Sequence, residues 1–242
     1  GFNALGIRNN FRVVAQLGII AIGAGLLIIS GEFDLSIGSM MGFAAGVMAI
    51  ILRWGFAIVI PYFSFEGGFH IETFTLLRIE NLFNLSALPG FPSLRSLTIV
   101  DVDEYRDLSA LTELPHLHSL VLDELPNVRD FSVLAKLTNL HSLVLDDLLY
   151  FTNLAVLAGL TNLHSLKLID LPNVRDFSAL AELTNLHSLK LHKLPHFKDL
   201  AVLANLQNLK SLSLLSLNQI TDLSVLANLQ NLESLDLTEL KN

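Results

Sequence analysis

Cysteine is absent from this 242-residue chain, so disulfides, thiolate zinc sites and thiol nucleophiles are excluded at the outset. The same absence leaves the redox compartment open. Charge is also scarce: 16% of the residues are charged against 52% hydrophobic, and the mean hydropathy is +0.55. No glycine-rich phosphate loop, no His-Glu-x-x-His and no Gly-x-Ser-x-Gly occurs. Serines and histidines abound, but they recur at fixed intervals, which is the pattern of a scaffold and not of a triad. These absences point away from an enzyme, and no cofactor or metal is expected.

What charge there is divides unevenly. Residues 1–61 hold three basic residues (Arg8, Arg12, Arg53) and two acidic ones (Glu32, Asp34). Of the chain's 15 basic and 23 acidic residues, 12 and 21 therefore fall in 62–242, a net of -9 there. Phosphate contacts need Lys and Arg, so nucleic acid is not an expected partner. The change of character near residue 61 sets two expected domains, 1–61 and 62–242.

Val13 to Ile29 is 17 residues without a charge, and Leu35 to Leu52 is 18 more. A bilayer core takes about 20 apolar residues per helix, with about 17 as the lower limit. Gly18, Gly23, Gly25, Gly38, Gly42 and Gly46 are too frequent for a soluble helix but suit membrane helices, where small residues let backbones approach. The break Ser30-Gly31-Glu32-Phe33-Asp34 turns the chain between the two runs. The expectation is an α-helical transmembrane hairpin that meets the bilayer through residues 11–60. Asp34, at the break, is expected to lie at the interface or cap a helix. Two alternatives stand beside the hairpin. One is a buried apolar cap on the rest of the chain. The other is a cleaved leader, against which counts the lack of an Ala-x-Ala-like site after Ile29. Under the positive-inside rule, Arg8, Arg12 and Arg53 place both ends of the hairpin in the cytoplasm.

The run from Gly18 to Ser39 resembles the permease subunits of ribose-type sugar ABC transporters, which carry Gly-Gly-Ile-Asp-Leu-Ser-Val-Gly-Ser after an apolar helix. Gly31, Asp34, Leu35, Ser36, Gly38 and Ser39 stand as in that signature, while Glu32 and Phe33 depart from it. The resemblance covers about residues 3–60. It implies a bacterial inner membrane and, as possible partners, the other subunits of such a transporter. Two helices do not enclose a sugar path, so transport by this chain alone is not expected.

From Gly68 onward the sequence repeats with a period of 23, and units begin at Gly68, Phe91, Leu114, Leu137, Leu160, Leu183, Leu206 and Leu229. Each complete unit keeps eight apolar sites, for example Leu114, Leu117, Leu120, Leu122, Leu125, Val128, Phe131 and Leu134. Leu120 and Leu122 are two apart and so face one side of a short strand, with Ser119, Val121 and Asp123 on the other. Phe131 to Leu134 has helix-like spacing, with Asp130 as its N-cap; Asp107, Asn153, Asp176, Asp199 and Asp222 are equivalent. Asn139, Asn162, Asn185, Asn208 and Asn231 precede the strand, where they are expected to take a left-handed conformation in a tight turn. The fold class is therefore α/β: a solenoid of strand, turn and short helix or 3₁₀ segment, stacked so that one parallel sheet lines its concave side. A single coil leaves leucines bare on both flanks and needs its neighbours. The last unit, Leu229 to Asn242, lacks a polar cap, which suggests a truncated chain or a partner at that end.

This repeat resembles the internalin-like class of bacterial leucine-rich repeats, whose usual unit is one residue shorter. The Asn that the class carries three residues after the second strand leucine is replaced by Leu125, Leu148, Leu171, Leu194 and Leu217. That Asn satisfies turn backbone groups between coils, and leucine cannot. The resemblance implies a protein-binding scaffold. The expected binding residues are the outward rows Ser119, Ser142, Ser165 and Ser188; Val121, Val144, Lys167 and Lys190; and Asp123, Asp146, Ile169 and His192. His118, His141, His164 and His187 form a further column at the strand entrance, read as a duplicated polar site in preference to a shared metal site or a pH-sensitive edge. Together these features describe a membrane-anchored solenoid that binds a protein partner. Alternatives are a shortened or fused sugar-permease subunit, and an artificial joint of two unrelated segments near Pro61 to Gly67.

Overall fold

The strand leucines set the architecture. A residue pair two apart points to one side of a strand, and a 23-residue period returns the same pair to the same side one coil later. The computed structural model describes residues 62–63, 71–77, 93–103 and 105–240. The chain divides into two units, Gly1–Ile60 and Pro61–Asn242, and every described residue lies in the second. The expected helical hairpin, with Gly31, Asp34, Leu35, Ser36, Gly38 and Ser39, lies outside the described residues, as does Gly68.

Among the described residues there are nine strands in one sheet, ordered as in the sequence. They are β1 (Tyr62–Phe63), β2 (Ile71–Leu77), β3 (Ser96–Val100), β4 (Ser119–Asp123), β5 (Ser142–Asp146), β6 (Ser165–Ile169), β7 (Ser188–His192), β8 (Ser211–Leu215) and β9 (Ser234–Asp236). From β2 onward every pair is parallel, and the register is the repeat: Leu120 opposite Leu143, Leu143 opposite Leu166, Leu166 opposite Leu189. The short β1 was not legible in the sequence. It pairs antiparallel with β2 and covers that edge of the sheet.

The eight apolar sites of the unit that starts at Leu114 are all buried, and Leu120, Leu122, Leu125, Val128 and Leu134 have no exposed surface. Volume is conserved between neighbouring coils by alternation. Val128 and Phe131 in one coil are followed by Phe151 and Leu154 at the equivalent positions of the next, so the large side chain switches site from coil to coil. Phe131 packs edge-on against Phe151 at 5.2 Å, and Phe177 against Phe197 at 4.9 Å. The segments opposite the strands are 3₁₀. They are one residue longer where Ser stands two residues after the Asp or Asn (Ser109–Glu113, Ser132–Lys136, Ser178–Glu182, Ser224–Asn228) than where Ala does (Leu154–Leu157, Leu200–Leu203).

Asn153 and Asp199 are N-caps, where the spacing placed them, whereas Asp107, Asp130, Asp176 and Asp222 stand one residue before the N-caps Leu108, Phe131, Phe177 and Leu223. Asp107, Asp130, Asn153, Asp176, Asp199 and Asp222 each accept a hydrogen bond, at 2.8–3.0 Å, from the backbone N–H two residues on. These bonds hold the carboxyls of Asp130, Asp176 and Asp222 below the usual carboxylate range.

Two expectations about the turns are corrected. The left-handed residues are not the asparagines before the strands but those just after them: Asp101, Glu124, Asp147, Asp170, Lys193, Ser216 and Glu239, with φ between 44° and 61°. The chain reverses direction as it leaves the strand, and that is where a positive φ is required. The asparagines act through their side chains. Asn139, Asn162, Asn185, Asn208 and Asn231 each donate from Nδ2 to a carbonyl of the preceding coil, at 2.8–2.9 Å. Nor does leucine in place of the exit-turn Asn leave the turn unsatisfied. Leu125, Leu148, Leu171, Leu194 and Leu217 have no exposed surface. The turn N–H donates instead to the next coil's backbone, as from Glu124 to the Asp146 carbonyl at 3.2 Å and from Asp147 to that of Ile169 at 3.1 Å.

Candidate binding face

One side of each strand is committed to the core, so the other is free to vary. Ser119, Ser142, Ser165 and Ser188 are direct neighbours in register; so are Val121, Val144, Lys167 and Lys190, and so are Asp123, Asp146, Ile169 and His192. The structure thus brings all twelve named positions together as three adjacent rows over β4 to β7. All are half-buried except Lys167, which is exposed.

The face is electrically asymmetric. At the strand exits, Asp123, Glu124, Asp146 and Asp147 come from two adjacent coils, and no Lys or Arg among the described residues is within ion-pair distance of them. Burial, then Asp146, Glu124, Asp147 and Asp101, push the Asp123 carboxyl up to about 6. Asp146 is raised as well, chiefly by burial. One coil further on, Lys193 pairs with Asp170 at 3.2 Å, a half-exposed contact that adds little stability. At the strand entrances the charges are paired. Arg95 and Lys210 stand at the two ends of the histidine column, near Glu72 at 3.9 Å and Glu233 at 3.2 Å respectively.

The four histidines between them form a stack. Ring centroids are 4.9, 5.3 and 5.1 Å apart from His118 to His187, and successive planes differ by less than 20°. Each ring donates from Nδ1 to the carbonyl two residues earlier: His118 to His116, His141 to Asn139 at 2.8 Å, His164 to Asn162 at 2.6 Å and His187 to Asn185 at 2.8 Å. Among the described residues no group of three or more His, Asp or Glu is arranged to hold a metal ion.

Two residues on the exit side are additions to the positions expected from the repeat. Leu149 is 47% exposed, and Tyr150 carries the Arg129 guanidinium 4.5 Å above its ring. The signal was present in the sequence: three other units have Pro126-Asn127, Pro172-Asn173 and Pro195-His196 at this place, and a fourth has Asn218-Gln219.

The crystal structure of internalin C2 from Listeria monocytogenes is similar to this chain, with a TM-score of 0.53 and 28% identity, covering 69% of this chain and 80% of that one. The described unit is an internalin-like leucine-rich-repeat solenoid. Its scaffold is that of a protein-interaction module. No protein-family model matches. The segment before the solenoid is similar to another kind of protein. Over 52 residues it is 48% identical to the xylose transport system permease protein XylH of Escherichia coli K12, and equally to that of Shigella flexneri. That match takes in 22% of this chain and 13% of the permease, so the chain spans about an eighth of these relatives. Among the described residues no helix is long and apolar enough to cross a membrane.

Proposed function

We propose that this chain is a membrane-anchored leucine-rich-repeat protein that binds another protein through the open face of its sheet. One contrast carries the reading. The inward strand positions of β4 to β8 are leucine throughout, whereas the outward ones change from Val121 and Val144 to Lys167 and Lys190, and from Asp123 and Asp146 to Ile169 and His192. Packing does not require that variation, and recognition does. The anchor rests on the two uncharged runs, Val13 to Ile29 and Leu35 to Leu52, and on their likeness to a permease. The test is capture of partners by the detergent-solubilised chain, repeated after changing Val121, Val144, Lys167 and Lys190 together to Ala. Loss of the captured protein supports this face, and unchanged capture excludes it.

The likeness to XylH supports a second reading, in which the chain works as a shortened or fused permease subunit. Co-purification of an ATPase and a sugar-binding protein supports that role. Their absence, with the chain still resistant to alkaline extraction from membranes, favours the anchor.

A further inference from the structure

We propose that neighbouring imidazoles of the His118–His141–His164–His187 column form open, two-ligand sites for a borderline divalent transition-metal ion such as Cu²⁺ or Zn²⁺. The tautomer is the first reason. A backbone carbonyl only accepts, so each Nδ1 carries the ring proton and, in the neutral ring, each Nε2 keeps its lone pair. Metal-binding histidines are oriented in this way, with the far N–H held by a carbonyl or carboxylate. Here four successive rings have that preparation, and the coil spacing sets them side by side.

Distance is the second reason. Two nitrogens on one ion, each at about 2.0–2.1 Å, lie no more than about 4.2 Å apart. The ring centroids stand 4.9–5.3 Å apart and the planes depart from parallel by 13–19°, so the Nε2 lone pairs point the same way and a pair closes on one ion by turning toward each other about χ1 and χ2. His141, His164 and His187 are exposed and have the room to do so. Water completes the coordination shell. Imidazole selects Zn²⁺, Cu²⁺ and Ni²⁺ over Mg²⁺ and Ca²⁺, which prefer oxygen. Four rings in line give room for two such ions, one on each end pair. The inference does not depend on which protein the sheet face binds.

The decisive comparison uses variants that keep the same number of imidazoles. H118Q/H141Q leaves His164 and His187 adjacent, while H118Q/H164Q leaves His141 and His187 two coils apart. H141Q/H187Q, which also leaves no adjacent pair, repeats the test should H118Q/H164Q fold poorly; circular dichroism checks each variant. Cu²⁺ alone is titrated into the full chain above the titration range of imidazole, about pH 7.5, and followed by calorimetry and electron paramagnetic resonance. The expected result is two-nitrogen Cu²⁺ in the parent and in H118Q/H141Q. Affinity should be weaker by about tenfold or more, a difference of ~1.4 kcal/mol, in both variants without neighbours. Equal binding by adjacent-pair and separated-pair variants overturns the proposal, as does binding that survives removal of all four.

Discussion

Tyr105 offers a test of the packing with a definite sign. Its side chain has no exposed surface, and its hydroxyl has no hydrogen-bond partner. Burial, and then the charge of Asp107, push its phenol well above the usual range. The corresponding sites in later coils hold Val128, Phe151, Val174, Phe197 and Ile220, so the position is built for an apolar group. An unpaired buried hydroxyl costs about 1–3 kcal/mol, and replacing Tyr by Phe removes it without changing the ring. Tyr105→Phe should therefore stabilise the solenoid by roughly 1–2 kcal/mol, toward the lower part of that range because the chain relaxes around a misfit. Urea unfolding followed by circular dichroism reads the change as a higher midpoint at an unchanged slope. A destabilised Tyr105→Phe would mean that the hydroxyl is satisfied and that the packing described around it is wrong.

Three further outcomes rest on the same geometry. Leu166→Ala, at a site with no exposed surface, should cost about 3–5 kcal/mol, whereas Lys167→Ala beside it should stay within about 0.5 kcal/mol, both by urea unfolding. Asn162→Ala removes the 2.9 Å bond to the Thr138 carbonyl and should cost about 0.5–1.5 kcal/mol; Asn162→Asp, which cannot donate, should cost no less. For Asp123 the folded carboxyl titrates at about 6, above its ordinary value of 3.8, so the folded state holds the extra proton between these values and stability falls as pH rises through that window. Asp123→Asn should therefore raise stability at pH 7 by about 1 kcal/mol after discounting for solvent screening, read as a higher melting temperature, and have no effect below about pH 4.

Legibility in the sequence followed the period. Leu120 and Leu122 announced both the strand and its inward side, and with them the outward positions Ser119, Val121 and Asp123. Asp130 and its equivalents announced their bonds to the backbone because an Asx side chain reaches a backbone N–H only two or three residues away. Features that depend on the next coil were harder to read. Asn162 looked like a left-handed turn residue because its side-chain bond goes to Thr138, 24 residues away. The actual left-handed positions hold mixed types, Glu124 and Lys193 as well as the more tolerant Asp147, since the turn is fixed by its hydrogen bond to the neighbouring strand. The histidine column was visible as a column, but the shared tautomer needed the carbonyls at residues 116, 139, 162 and 185. The raised Asp123 likewise results from burial and then from acids on neighbouring coils as well as its own.

Because the chain has no native cysteine, spin labels can be placed at will through introduced thiols. Pulsed electron paramagnetic resonance on labels at Ser96 and Ser211, five coils apart in one row, addresses the stacking directly, with Ser119 and Ser211 as the four-coil reference. At about 4.8 Å per coil the pairs should read roughly 24 and 19 Å, each with a single narrow distribution. Separations that fail to grow with coil number, or that spread broadly, would contradict the stack of in-register coils on which the open face depends.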